Sequence, residues 1–253
     1  LPRIADRRRR GMSARRVALL GGAGGIGRVL AAELADAGTE VVVLDLPASL
    51  ERHGVTEGIG LDLHDEASVA RAFTRIEGPL HGFVNLAGYN SDLIPLAQME
   101  TGYFDGVVSA NLRGAFLASR AALPLLVDDG TAAMVNVASG LAAHVRPGYG
   151  AYAASKAALI AMTKTLAHEL APTFRVNAVA PGLVDTAFLR GGTGRSDEAG
   201  DSLVDLDAYR RMTPLARIAG PADVTGPIRF LLGADSGFMT GQVLWVNGGG
   251  YMP

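Results

Sequence analysis

Hydrophobic positions along the 253 residues fall into short unbroken runs separated by longer amphipathic stretches. Residues 16–20, Arg-Val-Ala-Leu-Leu, read as a buried strand, and residues 39–46, around Glu-Val-Val-Val-Leu-Asp, as a second. Runs of Val and Leu without alternation are what a parallel strand covered on both faces requires. Further strands are predicted at 58–63, 82–86, 132–138, 175–180 and 242–246. Between them lie helical spacings. Residues 28–38 place Val29, Leu30, Leu34 and Ala37 on one side, with Gly38 as a stop. Helices are likewise expected at 67–76, 102–126, 151–170 and 222–232. Strand and helix alternate from end to end, with no Pro/Gly/Ser-rich linker and no repeat of solenoid length. The pattern predicts an α/β fold: one doubly wound parallel sheet of Rossmann type, with right-handed crossovers placing helices on both faces. Residues 12–253 are expected to form that single domain.

Composition narrows the function classes. At 49% hydrophobic and 19% charged the chain can bury a full core. It contains no cysteine, which removes disulfides, thiolate metal sites and a Cys nucleophile, and fits a cytoplasmic location. The five histidines have no close ligand spacing, so no metal is expected. Net charge is −2, so neither a nucleic-acid nor a membrane partner is called for. Four arginines, Arg7 to Arg10, stand in residues 1–11 with no apolar run behind them. That stretch is expected to be a disordered leader.

Two clusters carry chemistry. The first strand is followed by Gly21-Gly22-Ala23-Gly24-Gly25-Ile26-Gly27. Glycines there permit a tight turn and close approach of a pyrophosphate, and the following helix offers free N–H groups and positive potential. An ordinary flexible turn is the alternative. Asp45 ends the second strand, where a carboxylate accepts bonds from both adenosine ribose hydroxyls and repels a 2′-phosphate. The first arginine after it is Arg52. NAD is therefore expected in preference to NADP. The second cluster is Tyr152-Ala-Ala-Ser-Lys156, whose spacing puts phenol and ammonium on one helix face. A free tyrosine titrates near 10, and a neighbouring ammonium lowers that value, making an acid/base group. The chain has only two lysines, Lys156 and Lys164, beside 21 arginines. A surface Tyr–Lys pair is the alternative.

Taken together these motifs resemble the short-chain dehydrogenase/reductase family, in its short single-domain branch. The family's glycine motif is matched by Gly21, Gly25 and Gly27, with Gly24 and Ile26 within it. Asp62-Leu63 resembles its adenine-contacting pair, and Asn85-Leu86-Ala87-Gly88 its Asn-x-Ala-Gly stretch. Asn111, Ser139, Tyr152 and Lys156 match its catalytic tetrad, with Ser139 lying 13 residues before Tyr152. Pro181, Gly182, Val184 and Thr186 resemble its nicotinamide loop, and Asn247-Gly248-Gly249 its C-terminal pattern. Leu20 departs from the Thr that usually precedes the first glycine and ties the loop to the next strand. Leu86 replaces a second Asn.

The resemblance implies that Tyr152 is the acid/base and that Lys156 lowers its pKa and holds the nicotinamide ribose. Ser139 would hold the substrate oxygen, and Asn111 a water relaying protons from Lys156. Val184 and Thr186 would fix the carboxamide. Substrate contacts are expected from Ser139, His144, Tyr149, Tyr152 and Phe188, with Tyr89, Asn90, Leu189, Tyr209 and Met212 as further lining. For each aromatic, plain packing is the favoured alternative, and His144 equally fits a neutral loop histidine. Arg146 could meet a carboxylate. Residues 187–213, with Gly191-Gly192-Thr193-Gly194 and five acids between Asp197 and Asp207, read as a lid. The activity implied is NAD-dependent interconversion of a secondary alcohol and a ketone. An NADPH-dependent 3-oxoacyl-thioester (acyl-carrier-protein) reductase is the alternative, and a non-catalytic NAD-binding scaffold is less favoured. The resemblance also implies a homotetramer, for which the Ala-rich 151–171 helix offers small faces.

Overall fold

The computed structural model describes residues 15–191, 198, 200–202 and 204–252. The Arg-rich leader at 1–11 lies outside them, as do 192–197, 199 and 203 of the lid segment. Seven parallel strands form one sheet: β1 (Arg16–Leu20), β2 (Glu40–Asp45), β3 (Ile59–Gly60), β4 (Gly82–Asn85), β5 (Ala133–Val137), β6 (Arg175–Pro181) and β7 (Val243–Val246). Their order is β3-β2-β1-β4-β5-β6-β7. The chain reverses its direction of travel across the sheet between β1 and β4, and the crevice that such a reversal leaves lies beyond the strands' C-terminal ends.

Alternate residues of each central strand feed two cores. Val17 and Leu19 of β1 join Val84, Val135 and Val179 on one face, closed by Leu30 and Leu34 of α1 (Gly25–Asp36) and Val224, Ile228 and Leu231 of α8 (Pro221–Leu232). Ala18 and Leu20 join Leu44, Phe83 and Met134 on the other. Val69 and Phe73 of α3 (Glu66–Phe73), Leu117 of α5 (Gly114–Ala122) and Ala167 of α6 (Gly150–Leu170) cover them. The central strands are thus buried on both sides, as their apolar runs require. The strand β2 is only half-buried along Val41–Val43, and the edge strand β7 is half-buried throughout.

Several boundaries differ from the sequence reading. The first helix begins at Gly25, because the glycine loop supplies its first turn. The third strand is two residues long. A short helix α2 (Pro47–Arg52), with Pro at its first position, was not expected, nor was α7 (Leu206–Met212), whose N-cap Asp205 accepts from Ala208 N. The stretch expected as one helix at 102–126 is broken into α4 (Thr101–Val108), a π-turn at Ser109–Arg113, α5, and a final 3₁₀ turn. A π-turn is costly in a helix and commonly marks a functional position. Asn111 sits in it.

Candidate active site

A single cleft of about 830 Å³ runs over the C-terminal ends of the strands, from Asp45 at one end to Tyr149 and Phe188 at the other. The glycine loop forms its floor. Gly21 has φ +78°, and a Cβ there would lie 2.9 Å from Ala87 N. A Cβ on Gly27 would lie 2.5 Å from Gly21 O, so that glycine lets α1 approach β1. Gly25 faces the opposite wall: its Cβ would fall 2.8 Å from Thr186 Cγ2. Gly24 caps α1 and lines the cleft together with Gly25, Ile26 and Gly27. Free N–H groups at this helix start are suited to an anionic pyrophosphate.

Leu20 is buried at the end of β1, and the backbone does the tying that a Thr side chain was expected to do. Gly21 N donates to Leu44 O (2.8 Å), and Leu86 N to Leu20 O (2.8 Å). Asp45 adds a side-chain tether. Its Oδ2 accepts from Ala23 N at 2.9 Å and its Oδ1 from Leu46 N at 2.8 Å. Burial raises the Asp45 carboxyl above its ordinary range, partly opposed by those backbone bonds and by His53. Beside it the Glu198 carboxylate lies 3.2 Å from His53 Nε2 and 3.3 Å from Arg52 Nη1. No local pattern signals that contact, since it joins α2 to the lid segment.

Not every expected cofactor residue reaches the cleft. Leu63 lines it, and Gly114 lacks the side chain that would strike Leu63 Cβ at 2.6 Å. Asp62 does not line it; its carboxylate turns back to accept from His64 N at 3.0 Å. Asn85 lies beneath the floor, buried, with its Oδ1 accepting from Ala87 N (3.1 Å) and its Nδ2 reaching Asn136 Oδ1 (3.4 Å). It shapes the loop that presents Ala87 and Gly88. Pro181, Gly182, Val184 and Thr186 do line the cleft. Their loop is held by Tyr209, whose hydroxyl accepts from Leu183 N at 2.9 Å, a link between α7 and this loop that no local motif signals.

The tetrad residues come together where β4, β5, α6 and the π-turn meet. Along α6, Tyr152, Ser155, Lys156, Leu159, Thr163 and Ala167 form a buried stripe on one helix face, and Ala151 and Ala153 are buried beside its start. Burial pushes the Tyr152 phenol up to about 12, while a hydrogen bond with the Ser139 side chain favours its ionised form. Without cofactor, burial therefore holds the phenol in its neutral form. The Lys156 ammonium donates to Val137 O at 2.9 Å and Ala87 O at 3.4 Å, and lies 5.8 Å from the centre of the Tyr152 ring. The same burial lowers Lys156 to about 8. Two of its three donors are used; the third is available to the cleft.

Asn111 holds the loop after β4 rather than Lys156. Its Nδ2 donates to Tyr89 O (3.0 Å) and Ser155 Oγ (3.2 Å), and its Oδ1 accepts from Tyr89 N (2.9 Å). One acceptor position on Oδ1 is left for a water. A Cβ on Gly88 would lie 2.9 Å from Lys156 Nζ and 3.3 Å from Asn111 Oδ1, so the glycine opens the space between them. Ser155, not singled out in the sequence, bonds Asn111 and donates to Tyr152 O at 2.7 Å; its place between Tyr152 and Lys156 was the available signal.

Beyond Tyr152 the walls are aromatic and apolar. Phe188 packs on the Tyr152 ring with centroids 6.0 Å apart. His144 lines the cleft but stacks on Tyr251 at 5.1 Å, and Tyr251 meets Trp245 edge-on at 5.8 Å. Tyr89, Tyr149, Leu189 and Met212 also line it. Asn90 does not, because its Nδ2 is turned to Asp92 O at 3.1 Å. Among the described residues no group of three or more His, Asp or Glu is placed to hold a metal, and no helix is long and apolar enough to cross a membrane.

Comparison with known proteins agrees with this geometry. The model of a family described as enoyl-(acyl carrier protein) reductase matches residues 21–251. A short-chain type dehydrogenase/reductase of Picea abies is 34% identical, the alignment covering 92% of each chain. A 3-oxoacyl-[acyl-carrier-protein] reductase of Thermotoga maritima is 32% identical, over 91% of this chain and 95% of that one. A 3-ketoacyl-(acyl-carrier-protein) reductase from Brucella melitensis, solved in complex with NADH, superposes with a TM-score of 0.84 at 28% identity, covering 96% of this chain and 100% of that one. With the sheet order, the glycine loop and the Tyr152–Lys156 helix in place, this chain belongs to the short-chain dehydrogenase/reductase family.

Proposed function

We propose that this oxidoreductase uses NAD to interconvert a secondary alcohol and its ketone, with Tyr152 as the acid/base. Its family acts on CH–OH or carbonyl groups with a nicotinamide cofactor. The observation that carries the finer reading is that one continuous cleft joins the Asp45 carboxylate to the Ser139–Tyr152 pair. Asp45 would accept from the adenosine ribose hydroxyls, and its charge would oppose a 2′-phosphate. The start of α1 would take the pyrophosphate, and the third donor of Lys156 the nicotinamide ribose. The loop carrying Val184 and Thr186 would fix the carboxamide. The bound cofactor supplies the hydride acceptor for oxidation and the donor for reduction.

The protein's part is proton chemistry and orientation. The Ser139 hydroxyl holds the substrate oxygen beside the phenol. In reduction, the neutral Tyr152 that burial favours gives its proton to the developing alkoxide. In oxidation the phenolate is needed, and the Lys156 ammonium and Ser139 are the groups that stabilise it. Asn111 would hold a water through its remaining acceptor position and pass protons towards Lys156.

The 3-oxoacyl-thioester reductase reading is supported by the likeness to the Thermotoga and Brucella acyl-carrier-protein reductases. The Asp45 carboxylate weighs against an NADPH enzyme. A non-catalytic scaffold has no need of Asn111, Ser139, Tyr152 and Lys156 at one point. For assembly we favour a homotetramer: Ala154, Ala157 and Ala161 expose small side chains along the outer face of α6, suited to close helix packing. The cysteine-free sequence fits a cytoplasmic protein.

Parallel titration with NADH and NADPH, followed by nicotinamide fluorescence, is the test, with an alcohol panel and NAD to follow. A strong preference for NADH is expected. Preference for NADPH would overturn the role of Asp45 and favour the thioester reductase. Binding of neither would favour the scaffold.

A further inference from the structure

At the substrate end the cleft carries a positive charge that the Ser139–Tyr152 chemistry leaves unused. Arg146 lines the cleft beside Tyr149. Residues 146–149 read Arg-Pro-Gly-Tyr, and Tyr149 N donates to Arg146 O at 3.3 Å. Gly148 has φ +85°, so Pro147 and Gly148 form a tight turn whose third residue must be left-handed. The turn is pinned from outside. Ile94 N donates to Gly148 O at 3.2 Å, and a Cβ on Gly148 would lie 3.1 Å from Leu93 Cβ. The backbone of Arg146 is therefore fixed at the rim.

Its guanidinium has no ion-pair partner among the described residues, whereas Arg190, Arg210 and Arg217 each face an aspartate. The carboxylates lining the cleft are committed elsewhere. Asp45 is bound to the glycine loop, Glu198 faces Arg52 and His53, and Asp205 caps α7. Lys156 is aimed at two carbonyls. Arg146 shares the cleft's lining with apolar and aromatic side chains, among them Leu93, Leu141, Tyr149, Phe188 and Met212, and with His144. An exposed guanidinium on a fixed turn, lining a cleft with apolar and aromatic walls, is suited to one end of a substrate whose other end is the carbinol.

We propose that Arg146 is a specificity-determining residue, and that the preferred substrate is an apolar or aromatic secondary alcohol, or its ketone, bearing a carboxylate or sulfonate remote from the reacting carbon. This rests on the reading of the cleft as an alcohol/ketone site. The guanidinium binds the anion while Ser139 and Tyr152 engage the carbinol oxygen, so the two anchors fix which carbon is presented.

The test compares 4-(1-hydroxyethyl)benzoate with 1-phenylethanol as NAD-linked substrates, using wild type, Arg146→Ala and Arg146→Glu. In wild type the anion should be favoured in kcat/KM by about tenfold, an advantage that shrinks at high salt. Arg146→Ala should abolish the advantage and leave 1-phenylethanol unchanged, and Arg146→Glu should reverse it. Equal kcat/KM for both alcohols in wild type, or an equal loss on both in Arg146→Ala, would overturn the proposal. If neither alcohol turns over, the alcohol/ketone reading fails for these probes and binding decides the role of Arg146. Quenching of bound NADH fluorescence by 4-acetylbenzoate but not acetophenone, lost in Arg146→Ala, supports it. Equal quenching by both overturns it.

Discussion

Lys156 and Tyr152 stand one helical turn apart on the buried face of α6, yet the ammonium is directed to Val137 O at 2.9 Å, with Nζ 5.8 Å from the phenol ring's centre. Both side chains are nearly removed from water, and each is pushed towards its neutral form: Lys156 down to about 8, Tyr152 up to about 12. A tyrosine so placed is held as an acid. It becomes a base only when Lys156, or another positive charge, is brought to its oxygen.

The displaced lysine should be visible in stability. An unfolded lysine titrates near 10.4. Between pH 8 and that value the unfolded chain binds more protons than the folded one, so stability rises with pH across this window. Below pH 8 both states are protonated and the folded state bears the full burden of the buried charge. The slope contributed is at most about 1.4 kcal/mol per pH unit. Tyr152 acts oppositely above pH 10, where the unfolded phenol ionises first. Urea denaturation of the cofactor-free protein from pH 7 to 10 should show rising stability in wild type and a flatter profile in Lys156→Met. An unchanged slope in the variant would assign the effect to another group.

Removing the phenol oxygen tests the acid/base role. Tyr152→Phe keeps the ring against Phe188 and should bind NADH as wild type does. Turnover should fall by roughly 10³-fold or more. Ser139→Ala should also lower kcat, by about 10²-fold, because the substrate oxygen loses a donor and the phenolate a supporting bond. Steady-state rates with separately measured NADH affinity make the check. Near wild-type kcat in Tyr152→Phe would remove it from the chemistry.

The glycine loop offers a contrast between neighbours. A Cβ on Gly25 would meet Thr186 Cγ2 at 2.8 Å and Cβ at 2.9 Å, whereas one on Gly24 meets only Gly21 O at 3.3 Å. Thr186 is β-branched and cannot swing its Cβ away. Gly25→Ala should therefore displace the loop at 181–186 and weaken NADH binding by roughly tenfold or more, with Gly24→Ala milder. NADH titration of the two variants decides it; equal weakening would mean that the loss lies in the helix N-terminus itself.

These contrasts mark how far the residues could be read without coordinates. The strand runs, the glycine loop and the Tyr152–Lys156 spacing are local, and local patterns fixed the sheet, the cleft's floor and the face carrying the tetrad. Contacts made between distant segments were not legible. Asp62 and Asn85 resemble cofactor residues, yet their side chains close hydrogen bonds within their own loops or beneath the floor. The stretch at 102–126 has helical spacing throughout, and nothing local in it shows the π-turn at Asn111. That turn accompanies the bonds from Asn111 to Tyr89 and Ser155, 22 and 44 residues away.

Tyr209 is the sharpest case of a residue that acts at a distance. Its hydroxyl accepts from Leu183 N at 2.9 Å, and a Cβ on Gly182 would lie 2.7 Å from the same oxygen. The helix bearing it, α7, also brings Ala208 and Met212 to the substrate end of the cleft. The phenol thus couples the substrate wall to the loop that carries Val184 and Thr186. Tyr209→Phe removes one acceptor and leaves the Leu183 N–H without its partner, a loss of about 1–3 kcal/mol in the loop's order. NADH affinity should fall by roughly tenfold, while the pH dependence of kcat, set by the Tyr152–Lys156 pair, should stay where it is. A shifted pH profile with unchanged NADH affinity would instead place Tyr209 in the proton chemistry.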